Sequence, residues 1–204
     1  NRLSKINNYK KYYKIAPLLG CAFPTSWGIL NKETKNKKKN KILIIGAGGI
    51  GLTIASLAKI QGSKEITLVE KFKKKKILNK LKLSSINIEA FMEINSKCFD
   101  IVIDTSGDIQ NISKAFEVTS KNGFLILVGQ PKKNSLLKIK DPIRLFNPPN
   151  DNIKIISSDG GGFNPNKDLL KLSQIIKNNY SYLINLITDE IKIEKINKYI
   201  NKIK

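Results

Sequence analysis

The chain has 204 residues, 41% of them hydrophobic, with 37 Lys and Arg against 16 Asp and Glu for a net charge of +21, two Cys and no His. That length gives one domain, or one and a piece of another; the hydrophobic content is too high for a disordered chain, and two cysteines are too few for a secreted disulfide scaffold. Without histidine the chain by itself supplies no Ser-His-Asp triad, no His general base and no His-bearing metal site.

Asn1 to Lys14 is polar, with three tyrosines. Ile15 to Cys21 has the look of a lipoprotein signal, but the apolar part is too short and carries Pro17. Ala16 to Leu30 reads as a turn and then a short helix after Pro24, and Asn31 to Asn40 as a Lys/Asn linker. From Lys41 onward short β-branched runs alternate with amphipathic stretches. The predicted strands are Ile42–Ile45, Glu65–Val69, Ile101–Asp104, Phe124–Val128 and Ile153–Ile156, with a weaker one near Asn87–Phe91. The predicted helices are Gly49–Gln61, Lys74–Leu81, Ile109–Thr119, Asn166–Lys177 and about Ile193–Ile203. Strands apolar on both faces, alternating with helices, imply an α/β fold with a doubly wound parallel sheet.

Arg2 and Arg144 are the only arginines, so 35 of the 37 basic residues are Lys. Arg, not Lys, carries the fork that reads guanine and phosphate. The lysines fall in runs at connections (Lys37–Lys39, Lys73–Lys76, Lys132-Lys133) without the interleaved aromatics of a single-strand platform. This charge reads as solvated surface, with weak polyanion binding at low salt and no specific nucleic-acid partner. Ile42 to Ala58 is uncharged and close to a membrane span in length, but its four glycines mark a buried strand, turn and helix. The chain reads as soluble and cytoplasmic, with no membrane partner.

Gly46-Ala47-Gly48-Gly49-Ile50-Gly51 is a GxGxxG placed directly between a strand and a helix. In that setting Gly46 permits the tight turn, Gly48 lets a pyrophosphate approach the backbone, and Gly51 lets helix pack on strand. The helix start then presents unpaired N–H groups and a partial positive charge, as at Gly49 and Ile50. Glu70 ends the next strand, where a carboxylate accepts both ribose hydroxyls and repels a 2′-phosphate. This favours NAD over NADP, a preference that Lys71 and Lys73 soften. The bland alternative is a glycine turn in a nonbinding sheet; loop, strand, helix and acid together favour the dinucleotide.

Beyond these residues the chain resembles the zinc-dependent, medium-chain alcohol dehydrogenases, in their cofactor-binding, C-terminal portion. The resemblance is carried upstream by Gly20-Cys21-Ala22-Phe23-Pro24-Thr25-Ser26-Trp27-Gly28. Downstream it is carried by Asp100 to Gly107, Gly123 to Gly129, Gly160 to Asp168 and Leu186 to Asn197. It implies a Rossmann-type sheet flanked by short segments of a GroES-like catalytic domain that is largely absent. Residues 1–20 would be the tail of that domain, 21–160 the NAD-binding domain and 161–204 the returning segment. By resemblance Cys21 matches a ligand of the catalytic zinc, and Thr25 lies near the nicotinamide. Glu70 and Lys75 match the acid and lysine that hold the adenosine ribose. Ser106, Gly107, Val128 and Gly129 line the dinucleotide, and Ser158 to Gly161 runs close to the nicotinamide.

The other zinc ligands, the proton relay and the structural zinc lobe of the family have no counterpart in this sequence, so zinc is expected only with the missing domain. The chain starts at Asn1 with Met92 as its sole methionine and reads as a processed product or an excerpt. The leading expectation is the cofactor-binding portion of an NAD-dependent alcohol dehydrogenase acting on an alcohol, aldehyde or polyol, a homodimer or homotetramer when complete. The alternatives are a zinc-free quinone or enone reductase, in which Cys21 is incidental, and a noncatalytic NAD-sensing domain. Cys98 reads as a small buried hydrophobe.

Overall fold

The computed structural model describes residues 12–34 and 40–203, with the backbone alone at 202–203. The polar segment up to residue 11, the lysine run 37–39 and Lys204 lie outside the described residues. Six strands form one sheet: β1 (Lys41–Ile45), β2 (Glu65–Val69), β3 (Ser84–Ile86), β4 (Phe99–Asp104), β5 (Thr119–Leu127) and β6 (Lys154–Ser157). Their order is β3-β2-β1-β4-β5-β6, and every neighbouring pair is parallel. This is the Rossmann-type doubly wound sheet, whose winding reverses between β1 and β4 and opens a crevice at their C-terminal ends.

The helices are α1 (Ala16–Leu19), α2 (Ala22–Gly28), α3 (Gly49–Ile60), α4 (Lys75–Leu81), α5 (Ile88–Met92), α6 (Ile109–Val118), α7 (Pro165–Asn178), α8 (Tyr180–Leu183) and α9 (Ile196–Ile203). Successive side chains of a strand face opposite ways, and β1 serves two cores. Ile42 and Ile44 join Trp27, Ile54, Leu57, Leu172 and Leu183 on one face. Leu43 and Ile45 join Phe91, Val102 and Phe116 on the other. Each fully buried Leu, Ile or Phe contributes about 1.5–3 kcal/mol. Helix α3 is buried continuously from Gly51 to Ala58 because α2 covers the side turned away from the sheet. Its uncharged sequence is thus explained by burial in protein, and no helix among the described residues is long and apolar enough to cross a membrane.

The structure departs from the sequence expectations at several places. Near Asn87–Phe91 the chain is helical: Asn87 accepts the Ala90 N–H at 2.9 Å and caps α5, while the weak strand lies earlier, at β3. Helix α2 begins before Pro24, which sits in its first turn where the missing N–H costs nothing. The linker begins later than Asn31, because Ile29–Glu33 continues as a π-helical turn. That turn is closed by the Thr34 hydroxyl, which donates to Ile29 O and Leu30 O. Strand β5 starts at Thr119 with a register shift that leaves residues 120–123 without partners on β4, Asn122 turning at φ +57°. Cys98 is half-buried against the second core. The last helix begins at Ile196, with Ile193 in a 3-10 turn before it, and Ile193, Ile196 and Ile200 are exposed.

One buried cation organises the long β5–β6 connection. Arg144 donates to Phe116 O (3.0 Å), Glu117 O (3.2 Å) and Thr119 O (2.5 Å). These are carbonyls at the end of α6 and the start of β5, and Phe116 O also accepts the Thr119 N–H that closes the helix. Its Nε meets Asp151 Oδ2 at 2.6 Å, and Lys97 meets the same oxygen at 3.1 Å.

Candidate functional site

The glycine loop leaves β1 with Gly46 N–H donating to Val69 O (2.8 Å) and Thr105 N–H donating to Ile45 O (2.9 Å), so its base is pinned to β2 and β4. Gly46 has φ +98°, in the left-handed half of the map that glycine favours. A Cβ on Gly51 would lie 1.9 Å from Gly46 O, which is the close packing of helix on strand that the motif requires. At Gly48 and Gly49 a Cβ would meet nothing within 4 Å. Leu52 N–H is the first in α3 to find a helical acceptor, Gly48 O at 2.9 Å. The N–H groups of Gly49, Ile50 and Gly51 therefore have no acceptor within the helix, and Gly48 and Gly49 beside them are exposed while Gly51 is buried.

Glu70 stands beside this loop. Its Oε2 accepts Ala47 N–H (3.0 Å) and meets Lys74 Nζ (2.8 Å); its Oε1 accepts Phe72 N–H (3.0 Å). Burial works to raise the carboxyl's pKa, but Lys74 and the two N–H donors outweigh it and hold it below the usual carboxylate range. Lys74 also donates to Ala47 O at 2.9 Å. Lys75, the lysine singled out in the sequence, is exposed in the first turn of α4, and its neighbour is the one that reaches the acid.

Asp104, at the end of β4, is fully buried and shapes the next wall. Its Oδ1 accepts from Ser106 N–H (3.2 Å) and Ser106 Oγ (2.6 Å), and its Oδ2 from Gly107 N–H (2.8 Å). Burial pushes its pKa up against the pull of these donors. Val128 and Gly129 both donate their N–H to Asp104 O, at 2.9 and 3.0 Å. A Cβ on Gly129 would lie 2.2 Å from Gly107 N, so the two strand ends meet backbone on backbone. A cleft of about 320 Å³ opens alongside, lined by Gly107, Asp108, Ile109, Gln110, Lys132 and Ser135.

The far side of the edge is built by α2 and the Gly160–Gly162 turn. A Cβ on Gly28 would lie 2.2 Å from Gly161 O, and Trp27 stacks edge-on against Phe163. Ser158 donates to Glu33 Oε1 (2.9 Å) and accepts the Gly161 N–H (3.2 Å). Lys32 pairs with Asp168 at 3.0 Å, so the end of the π-helical turn is fastened to α7. Thr25 is buried in this contact, and Cys21 is exposed at the start of α2, its Sγ 4.0 Å from Thr25 Oγ1.

The fold therefore gathers Gly46, Gly48, Gly49, Ile50, Gly51, Glu70, Ser106, Gly107, Val128 and Gly129 at the C-terminal edge of β1, β2, β4 and β5. Asp104 and Lys74 belong to the same edge and were not among the site residues expected from sequence. The signal for Asp104 was its place at a strand end before Ser-Gly; for Lys74 there was none within a run of four lysines. The loop fits a pyrophosphate, with helix N–H groups that lack helical acceptors next to the exposed, unobstructed Gly48 and Gly49. Among the described residues no three His, Cys, Asp or Glu side chains gather as a metal would need.

No family model matches the chain. Alcohol dehydrogenase 2 of Oryza sativa subsp. japonica is 25% identical to it over 206 residues, covering 96% of this chain and 53% of that protein. The chain spans about half the length of the curated relatives it matches. Benzyl alcohol dehydrogenase from Acinetobacter calcoaceticus superposes with a TM-score of 0.77 at 16% identity, covering 93% of this chain and 53% of that one. A zinc-binding dehydrogenase from Sinorhizobium meliloti 1021, solved bound to NADP, gives a TM-score of 0.63 at 16% identity, covering 78% of this chain and 47% of that one.

Proposed function

We propose, from a chain that corresponds along nearly its whole length to the cofactor-binding, C-terminal portion of medium-chain alcohol dehydrogenases, that it holds the nicotinamide dinucleotide of an NAD-dependent enzyme of this kind. The observation that supports this most is the start of α3, where N–H groups without helical acceptors adjoin Gly48 and Gly49, which carry no side chain and have open space beside them, with an acid near. When bound, the nicotinamide accepts or supplies a hydride at an alcohol or carbonyl carbon. This chain's residues work by position. Gly48 to Gly51 and the α3 dipole hold the pyrophosphate, and Glu70 accepts from the adenosine ribose, with Lys75 close by. Ser106, Gly107, Val128 and Gly129 present backbone to the dinucleotide; Thr25 and Ser158 to Gly161 flank its nicotinamide end.

In this reading residues 21–160 are the NAD-binding domain, residues 1–20 the end of a catalytic domain and 161–204 the return to it. Cys21 is the one residue assigned to zinc, as a member of a ligand set completed outside this chain. The substrate is a small alcohol, aldehyde or polyol, and the complete protein is a homodimer or homotetramer. Trp27, the only tryptophan, provides the test through energy transfer to bound NADH. The expected result is saturable binding with Kd between about 1 µM and 1 mM. A folded chain that gives no saturable signal would refute the proposal.

A further inference from the structure

We propose that Lys74 sets which dinucleotide this site takes, cancelling the selectivity of Glu70 so that a 2′-phosphate is accepted alongside a free 2′-hydroxyl. The inference rests on the reading that the glycine loop holds a nicotinamide dinucleotide, and it specifies the ribose end of that site.

An acid at the end of the second strand discriminates in two ways: its charge repels a 2′-phosphate, and its oxygens accept from the ribose hydroxyls. Both are reduced here. Lys74 Nζ lies 2.8 Å from Glu70 Oε2, so the pair carries no net charge. A carboxylate offers about two acceptor sites on each oxygen. Oε2 has both filled, by Lys74 and by Ala47 N–H, and Oε1 has one filled by Phe72 N–H. One ribose hydroxyl can be accepted without displacing a protein donor, and a second cannot.

The ammonium is placed to replace what the acid gives up. An ammonium has about three N–H donors; Glu70 and Ala47 O take two, which leaves one for a phosphate oxygen. Its side chain is 33% exposed, held at the edge of the loop and open to a ligand. Lys71, Lys73 and Lys75 are exposed around it. Glu70 is the sole acid between Glu65 and Glu89, against seven lysines in the same stretch. Nothing there repels a phosphate once Glu70 is paired.

The test is equilibrium titration of the 204-residue chain with NADH and with NADPH at near-physiological ionic strength. The two dissociation constants are expected to agree within about fivefold, a difference of under about 1 kcal/mol. Lys74→Met is expected to weaken NADPH about tenfold or more, the worth of one charge-assisted hydrogen bond, while NADH binding stays level or tightens. Lys177→Met, in the last turn of α7, removes the same charge elsewhere and is expected to change neither constant. An unchanged thermal transition in Lys74→Met shows that the variant is folded. A wild-type preference for NADH greater than about fivefold overturns the inference while leaving the dinucleotide reading intact. Equal weakening of both ligands in Lys74→Met also overturns it, because Lys74 would then only shape the loop. Binding of neither ligand overturns the dinucleotide reading and the inference together.

Discussion

Replacing Gly48 by alanine separates what the glycine loop needs for folding from what it needs for a ligand. Gly48 has φ −80° and ψ −168°, extended backbone that alanine adopts, and its Cβ would meet no atom within 4 Å. Two small terms then oppose each other in the folded chain. Restricting the unfolded chain stabilises by about 0.4–1 kcal/mol. Losing glycine at the N-cap of α3 costs about 0.5–1 kcal/mol. Stability is therefore expected to change by less than about 0.5 kcal/mol, within a few degrees in Tm. On the dinucleotide reading the same methyl enters the open side of the loop, where the motif brings a pyrophosphate against the Gly48 backbone. Losing one charge-assisted hydrogen bond to a phosphate there costs about 1.5–3 kcal/mol, or roughly 10- to 100-fold in Kd. Urea unfolding and NADH titration of one preparation give both quantities. Binding within about twofold of wild type would refute the reasoning, since the open space at Gly48 would then not be the phosphate position.

Gly161→Ala is expected to destabilise by about 2–4 kcal/mol in urea unfolding. Its φ is +69°, and the added Cβ would lie 2.3 Å from Thr25 O and 2.7 Å from Ile29 N, backbone atoms that have little room to move. Arg144→Met is expected to cost about 3–5 kcal/mol, since it strips donors from three carbonyls and leaves Asp151 without its buried partner. Hydrogen bonding from Arg144 and then Lys97 holds the Asp151 carboxyl below its ordinary range. A depressed folded-state value means that this contribution is complete above the unfolded value of about 3.9 and is lost as pH falls through the folded one. Urea midpoints measured from about pH 6 downward should therefore fall more steeply below about pH 4 in the wild type than in Asp151→Asn.

Much of this edge was legible because it depends on local pattern. Ile42–Ile45, the glycine spacing and Glu70 lie within one strand-turn-helix-strand unit, and the backbone conformations they need are written in residue type. Lys74 was not legible, because Lys73 to Lys76 are alike in sequence and only the entry of the chain into α4 decides which one turns back to Glu70. Arg144 was passed over for the opposite reason. Its partners Phe116, Glu117 and Thr119 lie some 25 residues or more earlier, and no periodicity links a loop cation to a helix end. The Asn87–Phe91 stretch was read as a weak strand, where the Asn87 cap makes a short helix and the strand lies just before it, at Ser84–Ile86. The stripe Ile193, Ile196 and Ile200 shows the limit of helical spacing: it marks a face, and here that face is exposed.

Amide hydrogen exchange of the chain with and without saturating NADH tests the central claim most directly. The account expects slowed exchange at Gly48 to Leu52 and at Ser106, Gly107 and Gly129, with the Pro131–Asn152 connection unchanged. Protection confined to other segments, or none at saturation, would mean that the dinucleotide does not sit on the glycine loop.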